Sequence, residues 1–117
     1  MRQANKHYRE ILLIEMDDLK EDLDCMIQRT EEAFRQGRIT ERVHKENAAL
    51  FRNEKLGVDE FSKLLHGLDV EAHASLDAMI EALKLSFRSL SQRLALANAV
   101  VICVERKLDK VRRYVIQ

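Results

Sequence analysis

Apolar residues recur at alternating steps of four and three through the last third of the chain: Leu76, Ile80, Leu83, Phe87, Leu90, Leu94, Ala97, Val101, Val104, Leu108, Val111 and Val115. Such a seven-residue repeat places one apolar stripe along a helix. Neither Gly nor Pro interrupts it, so the pattern predicts one very long C-terminal helix over about residues 70–116, with Asp69 as its cap. The first third repeats the pattern with Leu12, Met16, Leu19, Leu23, Met26, Thr30 and Ala33, and Ile27 and Phe34 widen the stripe. A first helix over about residues 5–36 follows, ended by Gly37 in the left-handed conformation that glycine adopts without strain.

Between the two, Thr40 is suited to cap a second helix over about 40–56, since its hydroxyl can accept from a free backbone N–H. This helix carries a thinner stripe of Val43, Leu50, Phe51 and Leu56 and is expected to end near Gly57. A short segment over 59–66 follows, capped by Asp59 and stopped by Gly67. It is either separate or a kinked continuation of the second helix. The whole reads as a single all-α domain over residues 1–117, an elongated antiparallel bundle or coiled coil of three main helices.

At ~1.5 Å per residue the last helix would measure roughly 70 Å and the first roughly 48 Å. The surplus seam would then require another cover, either the second helix, a second copy or another protein. The run from Leu94 to Val104 sharpens that expectation, because Ala95, Leu96, Ala99, Val100, Ile102 and Cys103 are apolar beside the stripe. A helix that is apolar on all sides is enclosed. Asn98 is the single polar residue in that run, and if buried it would fix helix register. The seam positions Leu94, Ala97, Asn98, Val101, Val104, Leu108, Val111 and Val115 are therefore the predicted interface with a second copy or a helical partner.

Composition agrees with a bundle. Hydrophobic residues are 46% and charged residues 34%, aromatics are 5%, Pro is absent and Gly occurs three times. A β-rich fold needs more turn residues. Twenty basic and twenty acidic residues cancel, so no net charge draws the chain to nucleic acid or an anionic membrane. The charges are unevenly placed. Glu15, Asp17, Asp18, Glu21, Asp22 and Asp24 crowd the first helix, and Arg106, Lys107, Lys110, Arg112 and Arg113 crowd the end of the last. Their attraction favours an antiparallel arrangement of these two segments. The longest apolar run is too short to span a bilayer. Acidic residues follow the N-terminal Ile11–Ile14 run at once, unlike a signal peptide. A cytoplasmic location is expected. Cys25 and Cys103 have no metal-ligand or redox spacing, and free thiols or a disulfide between them both fit the sequence.

The candidate chemistry is thin. Glu41 and His44 have the Glu-x-x-His spacing of di-iron bundles, but those require two such pairs and two further carboxylates. His73, one helical turn before Asp77, is a candidate phosphorelay histidine near the bundle end, yet Ala74, Ser75 and Leu76 follow it in place of the usual Lys and Gly. Arg38 with His44 matches the Arg and His pair of helical ribonucleases only loosely. Met16, Met26 and Met79, at or beside the stripes, are expected to fill the core, and the acidic run lacks the spacing of a calcium loop. No phosphate-binding Gly loop or nucleophile triad occurs. The expectation is a protein with no catalytic residue, metal, cofactor or small-molecule substrate, acting by helix-to-helix contact.

In layout the chain resembles the FlgN-type flagellar export chaperones. The corresponding pieces are residues 8–36, the turn Gln36-Gly37-Arg38 with Glu46-Asn47-Ala48-Ala49-Leu50 after it, and Leu94 to Val115 with Asn98 inside. The resemblance implies a cytoplasmic all-helical protein whose C-terminal part holds exported hook-associated proteins.

Overall fold

The computed structural model describes residues 3–117, and among them every regular element is helical. Helix α1 spans Gln3–Arg35 and α2 spans Glu41–His66. A single 3-10 turn, Val70–Ala72, leads to α3 (Leu76–Arg93) and α4 (Asn98–Ile116).

The ends follow from local chemistry. Gly37 takes φ +71°, and the Arg38 N–H reaches back to the Ala33 carbonyl at 2.9 Å, closing α1 with the left-handed cap that only glycine forms cheaply. Thr40 Oγ1 accepts from the Val43 N–H at 3.2 Å and starts α2. Ser75 does the same for α3 through the Ala78 N–H.

Three sequence expectations are corrected. Helix α2 runs unbroken through Gly57 to His66, so residues 59–66 are its last turns and not a separate segment. Asp69 caps the 3-10 turn, not a long helix. The expected helix over 70–116 is two helices, because the chain reverses at residues 94–97. There Ala95 adopts φ +53°, and the Leu96 N–H bonds the Ser91 carbonyl at 2.9 Å, the long hydrogen bond of a Schellman turn. No glycine marks the site. A left-handed alanine costs about 1–2 kcal/mol. Folding back seats Val100, Val104, Leu108 and Val111 at 0–1% exposure, each contributing about 1.5–3 kcal/mol, so burial outweighs the strain.

The ion pairs fix the topology. Lys20 with Asp59 and Lys55 with Asp24 run α1 and α2 antiparallel. Asp77 with Arg112, Lys84 with Asp109 and Arg88 with Glu105 do the same for α3 and α4. Glu15 lies between Lys107 (3.3 Å) and Lys110 (2.9 Å), and Tyr8 Oη donates to the Leu108 carbonyl at 2.9 Å. Val115, at the end of α4, lies beside Gln3 and Ala4, and the start of α4 lies beside Asn53 toward the other end of the molecule, so α4 is antiparallel to α1, as the charge distribution suggested.

Two helical hairpins therefore stack. Their shared core holds Tyr8, Leu12, Met16 and Leu23 of α1, Val58, Phe61 and Leu65 of α2, Met79, Leu83 and Phe87 of α3, and the four α4 residues above. Phe61 and Phe87 meet edge to face with centroids 5.1 Å apart. Asn5, almost fully buried, donates to the Val70 and His73 carbonyls and ties down the α2–α3 connection.

Candidate functional site

The two hairpins differ in length. α1 has 33 residues and α2 has 26, against 18 and 19 for α3 and α4. At ~1.5 Å per residue the first hairpin outruns the second by roughly 20 Å along α1. The expected mismatch exists with the opposite sign, since it is the first helix and not the last that lacks a partner over part of its length. The molecule measures 56 × 28 × 20 Å, and its far end is a two-helix arm made of residues 24–35 of α1 and 41–56 of α2, met by α4 only at its base, around Asn53.

No residue from 24 to 56 is fully buried. Yet the arm carries Met26, Phe34, Val43, Leu50 and Leu56, each between 37% and 44% exposed. Ile14, Leu85, Ile102 and Tyr114 are exposed too, but they project from helix segments whose opposite faces are buried in the core. The arm has no such buried face. Exposed apolar side chains on a helix pair that has no buried face mark a candidate interaction site.

The face in question is the one that α3–α4 covers further down. The Val100 side chain sits against Gly57, and the Ala97 N–H donates to Asn53 Oδ1 at 2.8 Å. Leu50 and Val43 precede Gly57 by seven and fourteen residues and share its side of α2. On α1, Tyr8 and Glu15 reach α4. Leu12, between them, is in the core, and Leu19 and Met26 follow it at seven-residue intervals. The stripe that α4 covers on both helices thus continues, uncovered, into the arm.

The charges of the arm are largely settled within it. Asp24 pairs with Lys55 at 2.8 Å, Glu41 with Lys45 and Arg42 with Glu46. Asp24 holds the Lys55 ammonium above its ordinary range by hydrogen bonding and charge. Near the tip His44 stacks on Phe34, with ring centroids 4.3 Å apart, and its Nε2 lies 2.7 Å from Glu31 Oε1. The Glu41-x-x-His44 pair therefore does not converge on a common point, because His44 is engaged with α1 instead. Glu54 at the base forms no ion pair among the described residues, and desolvation raises its carboxyl pKa above the usual range. Burial, followed by the negative charge of Glu54, pushes the Cys103 thiol up. Both cysteines are free.

The predicted interface residues are mostly consumed inside the chain. Val104, Leu108 and Val111 are fully buried, Leu94, Val101 and Val115 are half-buried, and only Ala97 and Asn98 are exposed, at the reversal. Asn98 is the first residue of α4 rather than a polar residue in mid-seam. The single long last helix expected from the seven-residue repeat is replaced by the α3–α4 hairpin. His73 lies in the connection, its carbonyl held by Asn5. The groove on the outer face of α4, from Ala99 to Arg113, is lined by that one helix and open to solvent. Among the described residues no group of three His, Cys, Asp or Glu side chains is placed to hold a metal ion, and no helix is long and apolar enough to cross a membrane.

Compared with protein-family models, curated proteins and solved structures, the chain matches none.

Proposed function

We propose that this chain is a non-enzymatic protein–protein interaction module whose working surface is the projecting α1–α2 arm. One observation carries the reading. The stripe that buries α4 against α1 and α2 continues beyond Asn98 through Met26, Leu50 and Val43, with nothing covering it. A two-helix hairpin with an open apolar face gains stability from a further helical layer. The occupant is therefore helical and apolar on its contact face. It is also close to neutral, since residues 24–56 hold six acids against seven Lys and Arg. The four-helix end acts as the scaffold that holds the arm out. This reading needs no chemistry from His44 or His73.

Amine cross-linking of the chain in extract of its native cell, followed by peptide mass spectrometry, tests the proposal. Lys45 and Lys55 lie on the arm, and Lys84, Lys107 and Lys110 lie on the four-helix end. Intermolecular links, to this chain or to another, are expected from Lys45 and Lys55. Intermolecular links confined to lysines outside the arm, Lys6, Lys20 and Lys63 included, would place the contact surface elsewhere. A chaperone cradling exported helical proteins is the narrower form of the reading, and the identity of the linked polypeptide decides it.

A further inference from the structure

Resting on the reading of the arm as the docking surface, we infer that its occupant is the arm of a second copy, the two hairpins packing face to face about a twofold axis. What the exposed stripe accepts is visible lower down, where its continuation is covered by an antiparallel helical hairpin, α3–α4. The arm is itself an antiparallel helical hairpin with one uncovered apolar face. Two of them complete the four-helix cross-section that the other end of each chain already has. The near balance of acidic and basic residues on the arm, most of them paired within the copy, sets no repulsive field against a second one.

The α3–α4 layer decides the direction of the axis. It sits on the same face as Leu50 and Val43, one helix thick. If the twofold ran along the arms, the two α3–α4 layers would meet and hold the arm axes roughly 30 Å apart, about three times the usual interhelical distance. Only a twofold perpendicular to the arms brings their faces into contact, each arm sliding past the other until its tip meets the end of the α3–α4 layer. The tip at Gly37 then reaches the reversal at residues 94–97 of the second copy, since the eleven residues of α1 beyond Asp24 and the turn at Gly37 together span about 20 Å. Ala95, Ala97 and Asn98, all exposed and small or polar, are what a close-approaching tip requires. Three of the positions singled out by the sequence pattern, Leu94, Ala97 and Asn98, thereby come to lie at the edge of this interface.

The arm supplies 28 residues per copy, of which about half face the partner, so the interface falls toward the lower end of specific ones, where about 20–30 residues a side is usual. A dimer with a dissociation constant in the micromolar range is expected.

Sedimentation equilibrium of the full chain from low to high micromolar concentration tests this. The expected result is a rise from the 13.7 kDa monomer to twice that mass. Leu50→Glu and Val43→Glu, each checked for helicity by circular dichroism, should weaken the dimer by about tenfold or more, because each buries a charge. Ile102→Glu, on the outer face of α4, should leave it intact. A photo-crosslinking residue in place of Arg38 should capture residues 94–98 of the second copy. Both positions are already exposed in the single copy, so if one variant fails to fold the other carries the test. A monomer at every concentration overturns self-pairing while leaving the arm as a docking surface, which the cross-linking above then decides alone. A dimer that survives both arm variants and is lost in Ile102→Glu overturns the self-pairing and the arm reading together.

Discussion

The side chain of Val100 occupies the space that a Cβ on Gly57 would need. A methyl placed at Gly57 would collide with Val100 Cγ1 and come within 3.3 Å of Leu96 Cδ1. Gly57 is therefore the point at which the first turn of α4 crosses α2, and the boundary between the four-helix end and the bare arm. In an exposed helix, Gly→Ala would add about 1 kcal/mol of stability. Here overpacking costs about 1–3 kcal/mol, and both Val100, at 1% exposure, and the backbone of α2 are held in place. Gly57→Ala is expected to lower the urea midpoint. In Gly57→Ala/Val100→Ala the two losses should fall short of adding, with a coupling of about 1 kcal/mol. A stabilising Gly57→Ala would mean that α4 does not approach α2 at this point.

Glu54, one turn below, provides a pH-dependent test. Desolvation raises its folded pKa above the unfolded value, with no cation in hydrogen-bonding distance to reverse the shift. The folded chain thus holds this proton to a higher pH than the unfolded chain does. Stability from this residue is fully present below the ordinary carboxylate pKa and is lost as pH rises through the raised one. Glu54→Gln should melt higher than the parent at pH 7, by about 2 °C, since partial exposure keeps the effect small. The difference should vanish in acid below the ordinary glutamate range. The same variant removes a negative charge that holds the Cys103 thiol up, so alkylation of Cys103 at mildly alkaline pH should become faster. An unchanged alkylation rate would show that Glu54 and Cys103 do not face each other.

These two residues also mark the limits of what the sequence discloses. The all-helical class, the cap at Thr40 and the stop at Gly37 were legible because each rests on local chemistry. The inward face of the last third was legible too. Ile80, Leu83, Phe87, Val104, Leu108 and Val111 were all in the predicted stripe and all are buried. The repeat says which face is buried, not whether the helix is continuous. Here the stripe keeps its seven-residue step across the reversal, so one long helix and two antiparallel ones leave the same trace. Gly57 was read as a helix end because glycine commonly ends helices, while its use as a crossing point depends on Val100, 43 residues away. The arm escaped notice for a related reason. Met26, Val43 and Leu50 carry the same apolar pattern as buried positions, and only the length of α3–α4, set by the reversal, decides which of them stay uncovered.

The reversal is open to a test of sign. Ala95 sits at φ +53°, in the region where a β-carbon crowds the following carbonyl at a cost of about 1–2 kcal/mol. Glycine has no such penalty, although it loses about 0.4–1 kcal/mol through the greater freedom of the unfolded chain. Ala95→Gly is therefore expected to stabilise the protein by about 0.5 kcal/mol or slightly more, a small upward shift in the urea midpoint. A chain whose last third was one unbroken helix would place Ala95 in a helix interior, where the same substitution costs about 1 kcal/mol. The two arrangements thus predict opposite signs for one substitution at a residue that is exposed and makes no side-chain hydrogen bond. Asn53→Ala provides the companion measurement. Asn53 Oδ1 accepts the N–H of Ala97 itself, the residue that precedes α4. Its loss should cost about 1 kcal/mol, as for an ordinary hydrogen bond, whereas in an unbroken helix the Ala97 N–H would already be bonded within the helix and the substitution would be close to neutral. A destabilising Ala95→Gly together with a neutral Asn53→Ala would restore the single long helix. It would also remove the reversal that leaves the arm uncovered.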